Sequence, residues 1–114
     1  MDKFDTLRSA LWMHRLEKRS IFTGCAWRKN WTHARGGVIP KEPSEPLFGH
    51  AFKLFGQEFR NGELHLMAQL SNGEHIGNRG IFYFPREVVN RDFTFGAYMF
   101  VDMPVEEAKF LNEK

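Results

Sequence analysis

The chain is poor in several things, and each shortage narrows what it can be. It has one cysteine, Cys25, in 114 residues. A lone thiol cannot close an intrachain disulfide, so a disulfide-stapled secreted scaffold is excluded and a reducing compartment is the simpler setting. Net charge is only +2, which is small for a nucleic-acid binder that must neutralise many phosphates. What imbalance there is lies along the chain: residues 1–50 are mildly basic and residues 51–114 mildly acidic. No apolar run approaches the roughly 20 residues of a membrane-spanning helix. The opening stretch MDKFDTLRSALWMHRLEKRS also lacks the apolar core of a signal peptide. These shortages lead us to expect one soluble domain over 1–114, with no membrane partner, in a cytoplasm or a virion.

Apolar residues are not scarce. They make up 42% of the chain and include twelve phenylalanines, so a packed core is expected rather than disorder. Phe4, Leu7, Leu11 and then Met13 or Leu16 recur at helical spacing behind Asp2 and Asp5, which predicts an amphipathic helix over 3–18. SIFTGCAW reads as a strand. IPKEPSEP, with three prolines in eight residues, reads as an extended loop. IFYF and TFGAYMFVDM read as strands, REVVNRDF as a short helix or turn, and Pro104 with Glu106 and Glu107 as the start of a short C-terminal helix. The expected class is α+β: an N-terminal helix on an antiparallel sheet or partial barrel, closed by a short helix.

LFGHAFKLFGQEF and ELHLMAQLS flank Asn61-Gly62, the strongest short hairpin signal, because a type I′ turn needs positive φ at both central residues. A two-residue loop pairs Arg60 with Glu63, Phe59 with Leu64 and Glu58 with His65. Without a bulge, the same register pairs Phe55 with Ala68, Ala51 with Asn72 and His50 with Gly73. Gly56 marks the place where a bulge would break it.

Several clusters invite a chemical reading. Glu63, His65, Glu74 and His75 match no specific zinc spacing, so no metal is expected, and no cofactor motif is present. WRKNWTHAR interleaves aromatics with cations, as single-strand nucleic-acid grooves do. The low net charge favours a protein-contact surface instead, with Trp27, Lys29, Trp31, Arg35 and Phe48 as partner-binding candidates, since Trp and Arg are enriched at interface centres. As a plain strand, the same stretch would pack Trp27 and Trp31 and leave Lys29 and Arg35 to snorkel.

One long stretch resembles a known family. His50-Ala51-Phe52, Gly56, the Asn61-Gly62 hairpin and then Leu70-Ser71-Asn72-Gly73, Ile76-Gly77 and Gly80-Ile81 are similar to the C-terminal half of the papain-like cysteine peptidases. That half carries a catalytic histidine in His-Ala-Val and, after a hairpin, Asn-Ser-Trp-Gly with two further spaced glycines. The resemblance runs over roughly residues 7–103 and is densest over 49–84. It implies His50 as the base or its relic.

The departures limit what the resemblance implies. The family's asparagine holds the histidine ring in one orientation. Leu70 stands in its place and cannot accept a hydrogen bond, while Asn72 lies two residues on. The family's nucleophile sits on a helix of a separate preceding domain, and only 49 residues precede His50 here. Cys25, in GCAW, is the one replacement in the chain, but its neighbours read as a strand rather than a helix start that would stabilise a thiolate. The catalytic candidates are therefore His50, Cys25 and Asn72. The leading expectation is a non-catalytic protein-binding module derived from half of a papain-like peptidase. By analogy it would be a phage-encoded inhibitor of a host protein or a virion component, acting through an apolar face on another protein or on itself. The alternatives are a thiol hydrolase using Cys25 and His50, one chain of a two-chain peptidase, and a single-strand nucleic-acid binder.

Overall fold

The computed structural model describes residues 1–70, 75–94 and 96–100. Helix α1 spans Lys3–Met13, and a 3-10 turn follows at Arg15–Glu17. Strand β1 is Ser20–Arg28, β2 is Pro46–Arg60, β3 is Glu63–Gln69 and β4 is Ile81–Pro85. Helix α2, Arg86–Asp92, then leads to a short strand β5, Tyr98–Phe100. The strands form one antiparallel sheet in the order β4-β3-β2-β1-β5, so β4 and β5 stand at opposite edges. The class is α+β, as expected.

Asp2 caps α1, its carboxylate accepting from the Asp5 amide at 2.8 Å. The helix buries Phe4, Leu7 and Leu11, each contributing roughly 1.5–3 kcal/mol by leaving water. It ends at Met13 instead of running to residue 18. The buried stripe stops at Leu11: Met13 is 70% exposed and Leu16 87%. Beyond that point no residue of the helix is buried. Lys18 takes a left-handed conformation, φ 55°, and turns the chain into β1.

The hairpin forms at the predicted turn, with Asn61 at φ 53° and Gly62 at φ 80°. Arg60 pairs with Glu63, Phe59 with Leu64 and Glu58 with His65. The expected register then breaks. Gly56 faces Met67, but Leu54, not Phe55, faces Ala68. Phe55 is the extra residue of a bulge, and every side chain before it changes face. Leu54, Phe52, His50 and Phe48, paired with Ile21, Thr23, Cys25 and Trp27 of β1, thereby come to the face of Ala68 and Leu66 on β3. Leu66, Ala68, Phe82 and Phe84 continue this inner face, and α1 packs on it in one apolar cluster. The expected pairings of Ala51 with Asn72 and His50 with Gly73, and the expected C-terminal helix, lie outside the described residues.

Two ionic clusters fasten the helices. Arg86 reaches Asp2 at 2.7 Å and Asp5 at 3.0 Å, joining the start of α2 to the start of α1. These contacts hold both carboxylates below their usual range, Asp2 chiefly through the Asp5 amide and Asp5 chiefly through Arg86. At the other end of α2, the buried Asp92 carboxylate sits between Arg28 at 3.1 Å and Arg91 at 2.8 Å. Those guanidiniums also donate to the Ser44 and Lys41 carbonyls, which pins the proline loop.

The turn at Arg35–Gly37 lies against the β4 edge, where Val38 bridges Tyr83 and the Ile39 amide donates to the Tyr83 carbonyl at 2.9 Å. Gly37 has φ 78°, and a Cβ there would press on the Ile81 carbonyl and lie 2.9 Å from the Asn78 nitrogen. Gly36 has φ 62° with nothing near it. Urea denaturation should therefore separate the two: Gly37→Ala is expected to lose more than ~2 kcal/mol through overpacking and strain, and Gly36→Ala about 1 kcal/mol through the left-handed backbone alone. Equal losses would show that the close approach at Gly37 carries no weight.

Candidate functional site

Because the bulge turns His50 to the inner face, the two candidates farthest apart in chemistry meet. Cys25 and His50 are direct cross-strand partners on β1 and β2. The imidazole lies among aromatic rings, with centroids 5.5 Å from Trp27, 6.0 Å from Phe48 and 6.3 Å from Phe52. It lines a cavity of about 270 Å³ together with Trp27, Thr32, Phe48, Leu70 and Ile76. Leu70, where the resemblance places an asparagine, thus borders the same cavity as the histidine. It is buried and offers the ring no acceptor. His50 Nε2 is itself buried and has no hydrogen-bond partner among the described residues. Asn72 lies outside the described residues.

The electrostatics oppose an ion pair. Cys25 is 0% exposed, and its pKa is pushed up to about 12, first by burial and then by the nearby Asp92 carboxylate, with Arg28 only partly offsetting. Burial pushes the His50 pKa down. Both shifts favour the neutral forms, thiol and imidazole, whereas nucleophilic catalysis needs thiolate beside imidazolium. No helix start stands at Cys25, which lies mid-strand. As placed, Cys25 is core and His50 lines the cavity beside it.

The aromatic and cationic candidates divide. Trp27 and Trp31 are buried, in correction of their expected place on a partner surface. β1 ends at Arg28, and the chain turns through Trp31, whose amide donates to the Arg28 carbonyl at 3.1 Å. That turn brings the two indoles edge to face at 5.1 Å, and Trp27 Nε1 donates to Thr32 Oγ1 at 2.8 Å. The tryptophans pack as a strand reading would have them, but through a turn. Lys29 and Arg35 are exposed, Lys29 near Glu45 at 3.4 Å, and Phe48 is half exposed at the cavity rim.

Sequence reasoning missed Thr32, Ile76 and the Arg28–Asp92–Arg91 cluster: the turn that brings Thr32 to Trp27 reads as strand in the sequence, and Arg28 meets Asp92 across 64 residues. His65 faces Glu58, as the hairpin register requires, and its Nδ1 lies 2.9 Å from the Glu63 carbonyl oxygen. Among the described residues, no group of three or more His, Cys, Asp or Glu is placed to hold a metal, and no helix is long and apolar enough to cross a membrane. No protein-family model matches the chain, and no curated protein matches it.

Two pH limits follow. His50 binds its proton less readily folded than unfolded, so its contribution to stability is present above about pH 6.5 and is lost as pH falls through the lowered folded value. Cys25 holds its proton more tightly folded, so its contribution is present below about pH 9 and is lost as pH rises toward about 12. Urea midpoints measured across pH should fall at both ends, with His50→Phe flattening the acid limb and Cys25→Ala the alkaline one. An acid limb unchanged in His50→Phe would show that the imidazole is not the titrating group.

Proposed function

We propose that this chain is a non-catalytic protein-binding domain, derived from the histidine-bearing half of a papain-like peptidase. The observation that carries the reading is the outer face of the sheet, opposite the cluster that α1 joins. Phe22, Ala51 and Phe55 are exposed there, beside a depression of about 460 Å³ lined by Phe22, Ala51, Phe52, Lys53 and Gln69. Among the described residues, no helix covers it. A contiguous apolar sheet face is normally buried by another layer, and a second protein or a second copy of this chain would supply that layer. The peptidase origin is supported by His50 and Leu70 lining one cavity, at the positions where the family keeps its histidine and its orienting asparagine. The neutral, buried Cys25 supports the loss of catalysis.

A photo-crosslinking phenylalanine analogue at position 55 tests the binding face. In extracts of cells that make the protein, it should give one discrete heavier adduct, unchanged by Cys25→Ser and abolished by Ala51→Glu. The same analogue at Lys29, away from this face, should give none. Adducts of similar yield from both positions, or none from position 55, would remove this face as the binding surface. An adduct of twice the chain mass would identify the partner as a second copy.

The cross-strand pairing of Cys25 with His50 favours a second reading, a thiol hydrolase. Alkylation of native Cys25 by iodoacetamide decides between the two. The expected result is an inert thiol until denaturant is added. A thiolate titrating well below the free value of about 8.5, and only with His50 present, would restore the enzyme reading.

A further inference from the structure

A second apolar site lies at the end of the molecule away from the His50 cavity, between the last turn of α1 and the β2–β3 hairpin. It is a groove of about 330 Å³ lined by Arg8 and Trp12 on the helix side and by Gln57, Glu58, Phe59 and Leu64 on the sheet side. Its walls are fixed to each other by Gln57, whose Nε2 donates to the Arg8 carbonyl at 3.4 Å. Two large aromatic side chains flank it in the open, Trp12 at 57% exposure and Phe59 at 71%. Met13 and Leu16, also exposed, follow Trp12 along the chain.

The charge around this groove is one-sided. Among the described residues the only carboxylate lining it is Glu58, which pairs with Arg60 at 2.7 Å. The Arg15 guanidinium lies over the Trp12 ring at 3.7 Å and donates to the Trp12 carbonyl, and it meets no carboxylate among the described residues. Arg8 gives only its Nε to Asp5, at 3.0 Å, so both terminal nitrogens are unbonded among the described residues. Lys18, just beyond, is exposed and also makes no ion pair among the described residues. The left-handed backbone that Lys18 adopts there is one a lysine rarely takes.

We infer that this groove docks an acidic segment of a partner protein, with one large apolar side chain seated between Trp12 and Phe59 and flanking carboxylates on Arg8 and Arg15. An arginine already stacked on an indole holds its fork of donors in place, so a carboxylate finds a pre-ordered partner beside an apolar seat. Aromatic and arginine side chains of this kind carry most of the energy at protein interfaces. The inference rests on the protein-binding reading but names a different surface from the outer sheet face, so the two can fail separately.

The probe is a synthetic eight-residue peptide with adjacent Leu and Phe flanked by glutamates, set against its glutamine isostere. Trp27 and Trp31 are buried, so a change in tryptophan emission reports Trp12. The acidic peptide should give a saturable blue shift. Its affinity should fall about tenfold with the glutamine isostere, about tenfold in Arg15→Gln, and further in Phe59→Ser. Raising the salt should weaken it. Phe59 is exposed enough that Phe59→Ser should keep its urea midpoint, which separates lost binding from lost folding. Phe55→Asp, on the outer face, should leave the titration unchanged. No shift up to millimolar peptide, or equal binding of the glutamine isostere, overturns the proposal. A shift produced by vesicles of anionic lipid but not by the peptide overturns it in favour of a lipid surface.

Discussion

One extra residue in one strand decides most of this structure. The bulge at Phe55 sits between a hairpin whose register is set by its turn and the long first part of β2. Because side chains alternate with a period of two, the single inserted residue exchanges the faces of everything before it. It puts Leu54 opposite Ala68 on β3, while β1 runs past it without a shift and pairs Ile21 with Leu54, Thr23 with Phe52 and Cys25 with His50. It also turns Phe55 to the outer face. An uninterrupted ladder would have sent His50 outward and Phe55 into the core, and neither the histidine cavity nor the present outer face would exist.

The core explains why the bulged register wins. On the inner face, Phe52 stacks on Phe84 at 5.5 Å and meets Phe93 at 5.4 Å, while Phe84 meets Trp31 at 5.4 Å and Trp27 meets Phe82 at 5.2 Å. These contacts draw on β1, β2, β4, the turn after β1 and the end of α2. They are edge-to-face and offset arrangements, each adding to the burial itself. The cluster takes up part of the aromatic excess that the composition displays, including the two tryptophans that would otherwise suit a partner surface.

The same packing pushes Cys25 and His50 toward their neutral forms. A catalytic dyad needs its charges stabilised, by a helix start for the thiolate and an acceptor for the imidazolium. Here the thiol is sealed beside a buried carboxylate that is already held by Arg28 and Arg91, and the ring is walled by Trp27, Phe48, Phe52 and Leu70. The two residues are cross-strand partners, and among the described residues no acceptor faces the ring and no helix start faces the thiol. The exposed aromatic side chains lie elsewhere, Phe22 and Phe55 on β1 and β2, and Trp12 and Phe59 beside the groove between α1 and the hairpin.

The sequence by itself determined the features whose causes are local. The start of α1 follows from Asp2 and the 3.6-residue recurrence of Phe4, Leu7 and Leu11. The hairpin and its first three pairs follow from Asn61-Gly62, and the α+β class follows from the order of the elements. The end of α1 was not legible, because it depends on where the sheet stops offering contacts to Met13 and Leu16. The faces of β2 were not legible either: Leu47-Phe48, Ala51-Phe52 and Leu54-Phe55 place apolar residues on both parities, so a period-two pattern cannot choose between them. The tertiary structure made that choice, by packing one parity against the helices and leaving the other covered by no helix among the described residues. Burial, in turn, decided that Trp27 and Trp31 are core and that Cys25 and His50 are neutral neighbours, because desolvation depends on surroundings drawn from the whole chain.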